Sequence, residues 1–400
     1  MHFKVVRLHF SCILQLQMPK YTRDLKLPEP GTETFFLWGP RQSGKTTLLR
    51  ERYPDAVWID LLKAEEFRRY GTRPELLREE LARSGANFVV VDEVQKAPAL
   101  LDEAHWLHEN KGIHFTLCGS SARKLKRGHG NLLGGRAVRR ELHGLTAREL
   151  GADFELVRML NRGALPRIHA SERPGPLLNA YVGDYLKEEV MAEGLVRHLP
   201  PFSEFLNAAA LTDTEQVNYT NLGRELGVSR ETVRGYFEIL SDTLLARMLS
   251  PYRKRPKRRL SLADKFYFHD VGVVNFLARR GALEPGGELF GKAFENWVFH
   301  ELRSHNSYRE RFAEFSFWRL STGVEVDFIV NDMECAIECK SSDSVRAHHL
   351  KGLRELGKEH PAVGRRIVVC REPKSRVTSD RIEILNVEDF LGELWSGGLF

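Results

Sequence analysis

Apolar positions along this chain of 400 residues change their period several times, and the changes mark its elements. Four short runs, "TFFLW" (34–38), "AVWIDL" (56–61), "NFVVVD" (87–92) and "IHFTLC" (113–118), read as strands buried on both faces, the pattern of a parallel sheet. Charged stretches with helical spacing separate them, one of them broken at Arg73-Pro74. The alternation from 34 to 150 predicts a parallel sheet sandwiched by helices. Residues 176–210 read as amphipathic helices with Tyr181, Tyr185 and Val190 on one face. In 219–249 the helical stripe returns: Leu222, Leu226 and Val228 before a turn at Gly227-Ser229, then Val233, Phe237 and Leu240 after it. The last pattern, "EVDFIVNDMECAIECK" (325–340), predicts two short strands joined by a tight polar turn, with ionisable side chains inside the apolar runs.

The first strand opens into "GPRQSGKTT". Gly39, four residues, then Gly44-Lys45-Thr46 between a strand and a helix is the Walker A spacing in the context it requires. Glycines let consecutive N–H groups curl around a phosphate, and the helix N-terminus adds partial positive charge. Gly39, Pro40, Arg41, Gln42, Ser43, Gly44, Lys45, Thr46 and Thr47 are therefore the expected cradle for ATP, with Lys45 bridging β- and γ-oxygens and Thr46 on Mg²⁺. The third run ends in Asp92-Glu93, where Asp92 would hold the magnesium shell and Glu93 polarise the attacking water. The second acid favours hydrolysis over transfer to a small molecule. Ser120, with Ser121 as its alternative, would reach the γ-phosphate from the end of the fourth run. Arg136, after two glycines, is the candidate arginine for transition-state charge, with Arg123, Arg139 and Arg140 as competitors.

"FFLWGPRQSGKTTLL", "VVVDEVQKAP", "FTLCGSSARKL" and "LLGGRA" together resemble the P-loop domain of prokaryotic AAA-family ATPases, in which a C-terminal domain of unknown function (family 4143) follows. The resemblance continues through "YLKEEVMAEGLVR", "LGRELGVSRETVRGYFEIL" and "FENWVFHEL" to "AIECKSS", covering nearly the whole chain from about residue 20. It implies nucleotide hydrolysis, and it places Ser120 at the position called sensor 1.

The helices of 219–242 follow helix-turn-helix logic: Gly227 suits the positive φ that ends one helix, Ser229 caps the next, and Arg230, Arg234 and Glu238 face outward. Two strands after them make a winged helix. Between those strands "RKRPKRRL" carries six basic residues in the seven positions 253–259, a charge density suited to phosphate backbones or to a surface docked on the ATPase domain. In the hairpin, Asp327 and Glu338 fall opposite each other, and two buried carboxylates that close repel unless a cation lies between them. Mg²⁺ or Mn²⁺ would resolve the repulsion, and Lys340 would steady transition-state charge. Asp-x10-Glu-x-Lys, with Glu295 on the preceding helix as a third acid, is similar to the PD-(D/E)xK nuclease superfamily. The alternative is an inactive fold whose acids pair with Lys340, Arg319 or Lys292. Basic residues Arg365, Arg366, Arg371, Lys374 and Arg376 would track nucleic acid or face solvent.

Composition narrows the class without changing it. Hydrophobic residues at 42% and charged residues at 28% describe a globular protein, and net charge +6 with pI about 9.0 leans toward an anionic partner. No apolar stretch approaches the roughly 18 residues a bilayer needs. The five cysteines form no CxxC pair, which fits free thiols in a reducing compartment. The N-terminus lacks a small-x-small cleavage site, and Met18 fits as an initiator with residues 1–17 a translated leader. The expected organisation is an N-terminal arm (1–30), a P-loop AAA-type ATPase domain (31–160), a helical linker (161–210), a winged helix-turn-helix (211–270) and a nuclease-like α/β domain (271–400). The expected protein is a cytoplasmic AAA-type ATPase acting on nucleic acid, DNA before RNA, able to form a homo-oligomer and carrying a metal-dependent nuclease domain. The alternative is an ATP-dependent switch or DNA-binding regulator whose nuclease-like domain is inactive.

Overall fold

The structure, a computed structural model, describes residues 21–121, 137–186, 199–253 and 263–400. Strands β1 (Phe35–Trp38), β2 (Val57–Asp60), β3 (Phe88–Asp92), β4 (His114–Gly119) and β5 (Val138–Glu141) form a parallel sheet in the order β2-β3-β4-β1-β5. Alternation along β1 sends its side chains into two different cores. Phe36 and Trp38 join Val89, Val91 and Leu117 under helices α2 (Ala64–Thr72), α3 (Glu75–Ser84) and α4 (Leu100–Lys111). Phe35 and Leu37 join Phe88, Val90 and Leu49 of helix α1 (Lys45–Arg52) on the other face.

That second core does not end with the first sheet. It runs without a break into Phe294, Trp297 and Val298 of a long buried helix and on to Phe328 and Ile337 of the second sheet. The elements between are α5 (Ala147–Leu150), α6 (Leu156–Arg162), α7 (Pro166–His169), α8 (Pro174–Ala180), α9 (Leu199–Leu211), α10 (Tyr219–Glu225) and α11 (Arg230–Asp242), then the antiparallel pair β6 (Ala246–Leu249) and β7 (Lys265–Phe268). Gly227 takes φ 64° after α10, and the Ser229 hydroxyl accepts from Thr232 N to cap α11. The inner face of α11 buries Val233, Tyr236, Phe237 and Leu240. Its outer face carries the exposed Arg234–Glu238 pair.

Helix α12 (Val271–Leu277) leads to α13 (Glu288–Tyr308), the long helix, and then to a mixed sheet. Its strands β8 (Phe315–Arg319), β9 (Glu325–Val330), β10 (Cys335–Cys339), β11 (Arg365–Cys370), β12 (Arg376–Val377) and β13 (Ile382–Asn386) lie in the order β12-β13-β11-β10-β9-β8. One face packs on α13 and α15 (Val387–Ser396). The other packs on α14 (Lys351–Glu359), with Leu353 and Leu356 against Trp318, Val326 and Ile384. Gly352 makes that approach possible, since a Cβ there would lie 2.0 Å from the Glu325 carbonyl oxygen. The register of β9 on β10 (Phe328 opposite Ile337) puts Asp327 and Glu338 at adjacent positions. Cys118, Cys335, Cys339 and Cys370 are free and buried. No helix among the described residues is long and apolar enough to cross a membrane.

Candidate functional site

At the end of β1 the chain turns through Gly39, where a Cβ would lie 2.3 Å from the Leu142 carbonyl oxygen. Gln42 (φ 61°) and Gly44 (φ 93°) curl the loop into α1, which starts at Lys45. The Lys45 ammonium donates to the carbonyls of Gly39 (2.8 Å) and Pro40 (3.0 Å), folded across the mouth of the loop where phosphate oxygens would take over. The Thr46 hydroxyl donates to Asp92 Oδ2 at 2.7 Å. A hydroxyl and a carboxylate held that close offer two hard oxygen ligands on one side, which fits Mg²⁺ completed by water and phosphate.

Strand β4 lies between the loop strand β1 and the acid strand β3, and so delivers Ser120 between them. Glu93 sits in the left-handed region (φ 58°), which turns its side chain off the strand line. Gln95 Nε2 donates to the Glu93 carboxylate and, at 3.1 Å, to Ser120 Oγ. Gln95 thus couples the acid expected to polarise water to the serine expected to read the γ-phosphate. Residue spacing carried no signal for it. Gln42, Gly44 and Thr47 continue into an open cleft of about 580 Å³ with Tyr21, Leu48, Glu51, Leu145, Pro166 and Arg167 on its walls, beside the loop where a base and ribose would extend.

The floor of that cleft depends on Arg23, a residue the sequence did not single out. Its guanidinium donates to Glu149 Oε1 (2.9 Å), the His143 carbonyl (2.7 Å), Tyr308 Oη (3.0 Å) and the Ser43 carbonyl inside the loop. Arg136 and Arg123 lie outside the described residues. Of their competitors, Arg139 is exposed on β5, whereas Arg140 is held by Glu33 (3.3 Å) and Glu310 (2.6 Å) in the joint with the C-terminal region. Arg140 is therefore a structural residue.

The acids of the C-terminal hairpin converge, but with a cation already among them. Lys265 of β7, 1% exposed, reaches Glu295 Oε1 (3.1 Å), Asp327 Oδ1 (3.3 Å) and Glu325 Oε1 (3.8 Å). Tyr267 Oη donates to Glu295 Oε1 at 2.6 Å, and Cys339 N donates to Asp327 Oδ2 at 2.8 Å. Lys340 pairs with Glu338 at 2.6 Å, leaving Glu338 Oε2 buried without a partner. Burial, then the Asp327 charge, raises the carboxyls of Glu295 and Glu338. Burial opposes the Lys265 charge, but Glu295, Asp327 and Glu325 outweigh it and raise the ammonium above its ordinary value. Within the expected metal set Glu295, Asp327 and Glu338, an ammonium stands between the first two acids, and Lys340, expected to steady transition-state charge, is paired with the third. Of the expected alternative partners, Arg319 pairs with Glu325 (2.6 Å), while Lys292 pairs with Glu215 instead.

A second group of ligand atoms lies at the seam between the two sheets, where Glu141, His143 and His269 bring theirs within 4.8 Å of one another. Arg247 already pairs with Glu141 and Arg303 lies 3.8 Å from it, so the positive charge that a metal would bring is in place. The His143 and His269 rings stack at 5.1 Å, with His300 edge-on to both. Burial pushes all three imidazoles down, His300 to about 4. Such a group stays neutral in the folded state while the unfolded chain takes up a proton below about 6.5, so stability is lost as pH falls from there toward 4. Buried Glu301, raised to about 7 by its burial, runs in the opposite sense. The expected result is therefore differential. The stability advantage of the wild type over His300→Gln should shrink by about 2 kcal/mol between pH 7 and pH 5. Urea unfolding of both proteins at the two pH values measures it, and an advantage unchanged with pH rules the imidazole out.

Basic clusters expected to meet nucleic acid divide in two. Arg365 pairs with Glu383 and Glu393 (2.6 Å each) and Arg376 with Glu372 (2.8 Å), so these two charges are neutralised within the domain, while Arg366 donates to the Asp380 carbonyl and keeps its charge. Of the 253–259 strip, Arg253 is described and exposed, and the remainder lies outside the described residues.

Residues 32–151 match the AAA domain family, residues 153–284 a domain of unknown function (DUF8612), and residues 290–390 a further domain of unknown function (DUF4143). Uncharacterized proteins of Mycobacterium tuberculosis and Mycobacterium bovis are each 27% identical over 306 residues, covering 74% of this chain and 66% of theirs. The chain thus spans 66% of the length of these curated relatives. Among solved structures, the ORC2 protein of Aeropyrum pernix in its ADP form aligns over 62% of this chain and 89% of its own at 14% identity, TM-score 0.33. A replication initiator DnaA bound to AMPPCP and single-stranded DNA aligns over 53% and 83% at 12% identity, TM-score 0.28.

Proposed function

We propose that this chain, whose residues 32–151 belong to the AAA domain family and form a P-loop ATPase domain, hydrolyses ATP to drive a switch that acts on nucleic acid. The observation that carries the hydrolytic reading is the contiguous line from Lys45 through Thr46–Asp92 to Glu93–Gln95–Ser120. In this reading Lys45 leaves the Gly39 and Pro40 carbonyls for the β- and γ-phosphates, and Thr46 and Asp92 are the residues that would hold Mg²⁺, whose charge would offset that of the phosphates. Glu93 orients the attacking water and accepts its proton. Ser120 senses whether the γ-phosphate is there and reports through Gln95. Arg136 completes the charge stabilisation, supplied by a neighbouring copy in a homo-oligomer.

The nucleic-acid part of the reading rests on the α10–α11 pair, with Arg234 outward, and on the basic strip that enters the β6–β7 connection at Arg253. Lysines and arginines there would neutralise phosphates without reading sequence. Replacing Arg253, Lys254, Lys257, Arg258 and Arg259 by Gln should weaken duplex binding alike on all sequences. The slope of log affinity against log salt should fall by about 0.9 for each phosphate no longer neutralised. Fluorescence anisotropy across a salt series measures both, and an unchanged slope would place the strip against protein or water. A switch that does not itself cut is favoured over a nuclease by Lys265 among the C-terminal acids.

A further inference from the structure

We propose that the Lys265 ammonium occupies the position of the divalent cation in the Glu295–Asp327–Glu338 cluster, which makes this cluster a charge lock between strand β7 and the C-terminal sheet. The inference does not depend on how the P-loop domain works. A magnesium ion would sit about 2.0–2.1 Å from its oxygen ligands. Glu295 Oε1 and Asp327 Oδ1 are instead bridged by Lys265 Nζ at 3.1 and 3.3 Å, hydrogen-bonding distances that leave no room for a metal on the same two oxygens. Further contacts hold oxygens nearby. Asp327 Oδ2 accepts from Cys339 N, Glu295 Oε1 accepts a second hydrogen bond from Tyr267 Oη, and Glu338 Oε1 is taken by Lys340. Glu338 Oε2 is buried without a partner, but the two oxygens that would bridge a shared divalent ion, Glu295 Oε1 and Asp327 Oδ1, are both held by the ammonium.

Lys265 is also fixed from behind. Its strand pairs with β6 (Leu249 opposite Lys265), its backbone bridges to Gln216, and the Phe317 ring lies 5.6 Å from its ammonium. An ammonium so enclosed cannot swing aside for a passing ion, as an exposed lysine would. Its partners stand 30 and 62 residues further along the chain, so the bridge ties the β6–β7 pair to α13 and β9. Replacing the ammonium by an apolar side chain of similar length would leave the carboxylates uncompensated. A divalent ion from solution can then take the ammonium's place.

Manganese titration followed by electron paramagnetic resonance, on the full-length protein without nucleotide, tests the proposal. Wild type and Asp327→Asn should bind Mn²⁺ alike. Lys265→Met should gain one site, at least ~10-fold tighter than any wild-type binding, which Lys265→Met/Asp327→Asn loses. The melting temperature of Lys265→Met should rise with Mn²⁺ while that of the wild type does not. Wild-type Mn²⁺ binding that disappears in Asp327→Asn overturns the proposal, and so does a folded Lys265→Met with no new site. Should Lys265→Met fail to fold, the comparison of wild type with Asp327→Asn decides alone: equal binding supports the lock, and loss of a site refutes it.

Discussion

A Glu93→Gln protein is expected to bind ATP as the wild type does and to hydrolyse it at least ~10-fold more slowly, about 1.4 kcal/mol of barrier or more. Gln keeps the shape of the side chain and its hydrogen bond from Gln95 Nε2, but it cannot accept the proton of the attacking water. Lys45→Ala is expected to fail earlier. Its ammonium is the buried cation of the loop, held on the Gly39 and Pro40 carbonyls, and no other lysine shares the turn. Without it the phosphates lose the cation held at the mouth of the loop, so binding of a fluorescent ATP analogue should be lost together with turnover. The two variants separate the steps: affinity retained with slow hydrolysis for Glu93→Gln, affinity lost for Lys45→Ala. Wild-type turnover by Glu93→Gln would remove Glu93 from the role of base.

What the sequence made legible follows the range of the forces involved. β1 could be found because "FFLW" needs only its neighbours to be read, and the same holds for the Ser229 cap, whose hydroxyl meets Thr232 N three residues on. The phosphate loop was legible because its chemistry is written in consecutive residues. Asp327 and Glu338 were visible as misplaced charges, and their opposition followed from strand pairing. Their partner was not. Lys265 stands at the start of a strand, where a lysine ordinarily faces water, and it is buried by side chains from α13, β8 and β9 that are distant in sequence. Arg140 could not be set aside as a competitor of Arg136 for the same reason, since Glu33 and Glu310, which hold it, lie far from it on either side in sequence. Gln95 was passed over because an amide in a polar turn has no periodicity to betray it.

Arg23→Ala should be the costliest change outside the phosphate loop. The arm that carries it was expected to be an appendage, yet the Arg23 side chain is 8% exposed and Glu149, its partner, is 0% exposed. Glu149 is also the reach-back acid of the capping box that starts α5, accepting from Thr146 N, and it receives Asp24 N as well. Removing the guanidinium leaves that carboxylate buried with amide donors but no counter-charge, a loss of about 3–5 kcal/mol for a buried pair broken on one side. The Ser43 carbonyl loses its donor in the same stroke, so the loop should loosen and nucleotide affinity should drop along with stability. Urea unfolding and ATP-analogue titration of Arg23→Ala measure the two effects. Adding Glu149→Gln to Arg23→Ala should restore part of the stability, because a neutral amide tolerates burial better than an unpaired charge, while affinity should stay low because the Ser43 carbonyl still has no guanidinium donor. Stability that returns together with affinity would show that the arm acts only as a clamp. Neither lost in Arg23→Ala would show that the network is replaceable by water.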